Sequence, residues 1–156
     1  MRTIGLPNAA YVTNHFDTLN RLDYTALVNY WGHVLDGCSY IHDPLGLRTN
    51  IVRDFGLATN SVNVGYDNIE QLISWSAKES SGSPRLNEQL GFGFDKAWNL
   101  QSRTNGGLIQ IFTTDPADEL TNVSRTGALT LSGATPAPAI SIAVTAMPDG
   151  GKIAVA

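Results

Sequence analysis

Asp17-Thr18-Leu19-Asn20-Arg21-Leu22-Asp23-Tyr24-Thr25-Ala26-Leu27-Val28-Asn29-Tyr30-Trp31-Gly32-His33-Val34-Leu35 is the stretch on which the fold class turns. Leu19, Leu22, Ala26, Leu27, Tyr30, Trp31 and Val34 recur at three- and four-residue spacing, which makes one apolar stripe of a helix. Asp17 is placed to cap its start, and Gly37 to stop it. A second, shorter helix reads over residues 68–78. Asp67 followed by Glu70 has the spacing of a capping box, and Ile69, Leu72, Ile73 and Ala77 form an inward face. Ser80-Ser81-Gly82-Ser83-Pro84 ends it. On this reading Trp31, Trp75 and Trp98 are core residues.

The second half reads as β. Asn105-Gly106 suits the positive φ of a two-residue hairpin turn, with Leu100 and Ser102 before it and Leu108, Ile109, Ile111 and Phe112 after it. Val62 and Val64 mark a further short strand over 61–66. Beyond residue 127 the chain alternates again: Ile140, Ile142 and Val144 in one set, Ile153 and Val155 after the turn at Pro148-Asp149-Gly150-Gly151. No repeat of 20–50 residues is evident. The expected fold is therefore α+β, with two helices in the first half and a largely antiparallel sheet or sandwich in the second.

The chain has 156 residues, 42% hydrophobic and 15% charged, with a formal net charge of −4. That composition is too apolar for a disordered chain. It lacks the basic footprint of a nucleic-acid binder. No apolar run reaches the ~18 residues of a membrane-spanning helix, and the start has no apolar signal segment. Cys38 is the single cysteine, which rules out a disulfide framework. The expected partners are thus neither nucleic acid nor membrane. Three zones follow: an N-terminal arm over 1–16, a compact α+β core over 17–126, and a β-rich low-charge segment over 127–156 that packs either on that core or on a neighbouring subunit. The last zone holds one acid, Asp149, one base, Lys152, and no aromatic residue.

Several local patterns carry residue types suited to chemistry. His33, Cys38 and His42 supply zinc-ligand types, with Asp36 or Asp43 as a fourth, but their spacings lack the paired short form of structural sites. Cys38 with His33 or His42 as base has the residues of a thiol nucleophile without any visible oxyanion hole. Leu90-Gly91-Phe92-Gly93-Phe94-Asp95 echoes an RNA-stacking core, yet its basic position is Leu90, so two core phenylalanines are the simpler reading. Asp115, Asp118 and Glu119 read as a solvated turn leading into a helical start rather than a calcium site. No catalytic residue, cofactor or metal is assigned. A hydrolase or metal enzyme built on His33, Cys38 and His42 ranks third. A carbohydrate- or ligand-binding β module stacking sugars on Tyr40, Tyr66 and Trp98 ranks second.

The first-ranked reading rests on the two ends. Both are apolar and nearly uncharged, whereas an exposed strand ordinarily carries charge to prevent pairing. Small side chains bury too little area to order such segments alone. Ile4, Leu6, Tyr11, Ile140, Ile142, Val144, Ile153 and Val155 are the expected subunit-interface residues. An apolar arm, a compact middle and a tail threaded by Thr130-Leu131-Ser132-Gly133-Ala134-Thr135-Pro136-Ala137-Pro138 resemble structural proteins of tailed-bacteriophage virions. The resemblance implies a non-enzymatic decoration, minor capsid, connector or fibre-attachment component, found in the virion after synthesis in the host cytoplasm. It also implies other subunits, including copies of itself, as partners.

Overall fold

The computed structural model describes residues 1–56 and 58–128. Its strands are β1 (Arg2–Gly5), β2 (Tyr11–Phe16), β3 (Leu22–Val28), β4 (Val34–His42), β5 (Arg48–Asp54), β6 (Thr59–Tyr66), β7 (Leu72–Lys78), β8 (Pro84–Phe94), β9 (Leu100–Asn105), β10 (Leu108–Thr114) and β11 (Leu120–Thr126). The described residues contain no helix, and the strand ladders are antiparallel. The expected α+β class is thereby corrected to all-β. Among these residues no helix is long and apolar enough to cross a membrane. Residues 1–85 form one compact unit and the chain from Leu86 a second; β8 begins in the first and continues in the second.

Both expected helices are hairpins. Asp17 does not cap a helix; it opens the turn from β2 to β3. Its Oδ1 accepts from the backbone N–H of Leu19 and of Arg21, both at 2.9 Å. Asn29 opens the next turn, and Gly37 lies buried in mid-β4, under the Tyr24 side chain. Asp67 opens the turn from β6 to β7, and Glu70 adopts φ 68°, which no helical residue has. The first sixteen residues, expected as an arm, hold β1 and β2. The expected hairpin is present as β9–β10, but its turn is Gly106-Gly107, and Asn105 closes β9 without the positive φ expected of it; the strand over 61–66 lies within β6.

A repeat exists at the level of the hairpin. Eight connections share one five-residue turn, opening at Leu6, Asp17, Asn29, Asp43, Asp67, Glu79, Asp95 and Asp115. In each, the first residue's N–H donates to the fifth residue's carbonyl, and the fourth residue's N–H donates to the first residue's carbonyl. The fourth residue always has positive φ: Ala9, Asn20, Gly32, Gly46, Glu70, Gly82, Trp98 and Asp118. This is the three-residue hairpin loop with a left-handed last position. In the first unit, Asp17, Asp43 and Asp67 open every turn at one end of the meander. Asn29 and Glu79 are among the first residues of the turns at the other end. Gly65-Tyr66-Asp67 with Leu72 and Ser74, and Gly93-Phe94-Asp95 with Leu100 and Ser102, are two copies of one pattern. In both, the glycine faces the serine across the ladder, and a register shift places the aromatic opposite the leucine. Unequal strand lengths hide that period from a fixed-spacing search.

In the first unit, strand alternation puts Val12, Leu27, Cys38, Tyr40, Ile51, Val62, Val64, Trp75 and Ala77 on one face. The other face carries Ser39, Val52 and Ser61 in one row and Asn50, Asn63 and Ser76 in the next. Asn50 Nδ2 donates to Asn63 Oδ1 at 2.9 Å across that face. The buried hydrophobic residues are small: Ala10, Ala26, Val28, Val64 and Ala77. Among the described residues no large side chain is fully buried. A two-layer domain seals its large apolar residues between layers. Here Trp75 is only half-buried, and Trp31 and Trp98 stand on turns at 77% and 69% exposure, so none of the three is the core residue expected.

Candidate functional site

The aspartate turns are held by their own side chains. Asp67 Oδ1 accepts from the N–H of Ile69 and of Gln71 at 2.9 Å each, and Asp95 Oδ1 from Ala97 at 2.8 Å and Asn99 at 2.9 Å. Asp115 repeats this with Ala117 and Glu119, so the acidic run forms a hairpin turn and not a helical start. Neighbouring turns are also tied together. Arg21 Nε donates to Asp17 Oδ2 at 2.7 Å, and its Nη1 donates to the Asp43 carbonyl at 2.9 Å. In the second unit Asn99 Nδ2 donates to Asp118 Oδ1 at 2.7 Å.

These bonds set the carboxylate electrostatics. The backbone N–H of Arg21, opposed by a smaller desolvation and assisted by the Arg21 side chain, holds the Asp17 carboxyl below the usual aspartate range. The Asn99 backbone N–H does the same for Asp95. A group depressed in the folded state stabilises it above the unfolded pKa and loses that contribution as pH falls through the folded value. The urea midpoint is expected to hold from neutral pH down to about 4, the ordinary aspartate value, and to fall below it. A combined Asp17→Asn and Asp95→Asn variant should show a flatter acid limb; an unchanged limb would show that these carboxylates do not set it.

The pattern around His33, Cys38 and His42 is spread out by the fold. His33 ends the turn before β4, Cys38 lies mid-strand, and His42 closes the strand. At ~3.3 Å per residue the two histidines are about 30 Å apart. Asp36 is engaged instead by Arg53, whose Nε and Nη2 donate to its two oxygens at 2.9 and 2.8 Å. That hydrogen-bonded guanidinium holds the Asp36 carboxyl below its ordinary range. Asp43 accepts from the Leu47 N–H in its turn. Among the described residues no three His, Cys, Asp or Glu side chains gather as a metal site. The zinc and thiol-nucleophile readings therefore lose their geometry.

Tyr40 and Tyr66 are not free platforms. The Arg48 guanidinium lies 4.3 Å from the Tyr40 ring centroid, and the Tyr66 hydroxyl donates to the Arg48 carbonyl at 3.1 Å. Burial, with Cys38 beside it, pushes the Tyr40 hydroxyl above its ordinary value. Phe92 and Phe94 are half-buried on β8. A shallow depression in the second unit is lined by Asp95, Ser102, Ile111 and Thr113, but Asp95 is already committed to its turn. No acid–base pair is assembled there.

What the first unit presents is apolar surface at its margins. Of the expected interface residues, Ile4 is 59% exposed on β1, Leu6 opens the first turn, and Tyr11 is half-buried on β2. Ile140, Ile142, Val144, Ile153 and Val155 lie outside the described residues. Sequence reasoning missed the turn tips. Leu19, Leu45 and Ile69 each take the third position of an aspartate turn and are exposed. Tyr30 and Trp31 project from the turn at the opposite end, with ring centroids 6.0 Å apart. The signal that finds the aliphatic tips is an apolar residue two places after a turn-opening aspartate.

Comparison with family models and with curated proteins gives no match. Among solved structures, one chain of a crystal structure titled TcdB2-TccC3-Cdc42 is similar to this one at 13% identity and a TM-score of 0.40. The similarity covers 76% of this chain and 7% of that one.

Proposed function

We propose that this chain is a non-enzymatic structural component of a larger assembly, joining neighbouring subunits by strand addition and apolar packing. Virion subunits, including further copies of the chain, are the partners that its composition suggests. The observation that carries the reading is β1. All four of its residues are exposed, and among the described residues it pairs with β2 alone. It is short and carries one charge, Arg2, whose guanidinium lies over the Phe16 ring; it has no Lys, no Pro and no bulge in its pairing, further devices by which edge strands prevent association. The turn that follows it is the same turn used between interior strands, so β1 is built as a member of the array and not as its terminator. An added strand would bond to its free edge.

Sedimentation velocity on the full chain tests this. Wild type is expected to populate species larger than the monomer as concentration rises. Ile4→Lys places a charge on an exposed edge position and should weaken association about tenfold, the factor set by ~1.4 kcal/mol, with unchanged circular dichroism. A wild-type chain that stays monomeric throughout, or an I4K chain that associates equally well, would overturn the proposal.

A further inference from the structure

Asn105 closes β9 and is paired with Leu90 on β8 and with Leu108 on β10. No other asparagine in the sequence precedes a glycine. Gly106 and Gly107 are exposed, so no side chain shields the Gly106 nitrogen. Asn105 Oδ1 is buried with no hydrogen-bond partner. Other asparagine amides are engaged: Asn29 in its turn, Asn50 with Asn63, and Asn99 with Asp95 and Asp118. One bond opposes reaction at Asn105. The Gly106 N–H donates to the Gln89 carbonyl at 2.8 Å.

We propose that Asn105 is a spontaneous deamidation site, latched in the folded chain by the Gly106–Gln89 hydrogen bond. When the latch opens, hydroxide takes the Gly106 amide proton and the nitrogen attacks Asn105 Cγ. A Gly106 N–Cγ bond forms, the Cγ–Nδ2 bond breaks, and Nδ2 leaves as ammonia with a proton from water. Water then opens the succinimide at either carbonyl, giving aspartate or isoaspartate at position 105. Isoaspartate adds a methylene to the main chain beside a two-residue turn, which shifts the Leu108–Asn105 register. Either product also puts a carboxylate where an unpaired carbonyl oxygen was buried, an unfavourable exchange. Conversion therefore loosens the β9–β10 hairpin from β8.

The test is incubation of the full chain in mildly alkaline buffer, with and without concentrated urea. Peptide mass spectrometry reads each asparagine, and circular dichroism follows the folded arm. Asn105 is expected to convert first in urea, and about tenfold more slowly when folded, the protection that one net hydrogen bond supplies. Gly106→Ala, which hinders the attacking nitrogen, should slow conversion in urea. Another asparagine converting first in urea, or equal Asn105 rates in the two arms, would overturn the proposal.

Discussion

Replacing Asp17, Asp43 and Asp67 together by alanine is expected to unfold most of the sheet over residues 1–85. Asp17 and Asp67 each hold two backbone N–H groups of their turns, and Asp43 holds that of Leu47. Losing such a side-chain acceptor costs about 1–2 kcal/mol, as at a helix N-cap. Successive aspartate turns at one end are two strands apart, roughly 10 Å. At that separation the Asp67 loss should add to the other two, while Asp17 and Asp43 couple through Arg21. A total of about 3–6 kcal/mol is comparable to the whole stability of many domains. Asp17→Ala additionally releases Arg21, which bridges to the Asp43 carbonyl. The matched control is the triple asparagine variant, which keeps an Oδ1 acceptor. Asn29 already performs this role, accepting from Trp31 and His33 at 3.0 and 2.9 Å. Urea unfolding followed by circular dichroism should place the asparagine set near wild type and the alanine set far below it. Coincident curves for the two sets would mean that the turns are held by backbone bonds alone.

The same aspartates explain why the fold was only partly legible. An aspartate that accepts from N–H groups two and four residues on looks, in sequence, like the cap of a helix; the local bond is common to both. After Asp17 the helical reading prevails because Leu27 joins Tyr24, Ala26 and Val28 in one apolar run, although on β3 Leu27 shares its face with Thr25 and not with those three. In this meander neither face is sealed and neither is fully wet, so a strand does not show the clean apolar–polar alternation that identifies it. Leu19, Tyr30 and Trp31 completed a helical stripe on paper, yet they sit on turns. Glu70 completed a capping box on paper and instead supplies the left-handed position. Asn105-Gly106 was legible because that pair has few other uses, and Val62 and Val64 because Ser61, Asn63 and Gly65 between them restore the alternation. For the candidate surface, Ile4 and Leu6 were within reach of sequence because edge strands follow a charge rule. The aliphatic turn tips were not, since they require the turns to be placed first.

A reciprocal pair of substitutions isolates the backbone term in those turns. Gly46 has φ 91°, and a Cβ built there would come no closer than 4.0 Å to its nearest neighbour, Arg21 Cδ. Steric contact is therefore ordinary, and the cost of Gly46→Val lies in forcing a branched residue into left-handed backbone. That cost is about 2 kcal/mol. Glu70 holds the equivalent position two strands on, at φ 68°, with an exposed side chain. Glu70→Gly removes a smaller penalty, about 1.5 kcal/mol for an unbranched residue, but adds freedom to the unfolded chain worth about 0.5–1 kcal/mol. A net gain of about 0.5–1 kcal/mol is left. Urea midpoints should therefore move in opposite directions, down for Gly46→Val and up for Glu70→Gly. Gly46→Asn should fall between Gly46→Val and wild type, because Asn20 already occupies this position at φ 61° in the preceding aspartate turn. If Glu70→Gly lowered the midpoint, the equivalence of the two turns would fail, and with it the claim that one turn design recurs through the first unit. Both outcomes depend on the turn alone, so the association proposed for β1 should be unchanged wherever the sheet remains folded.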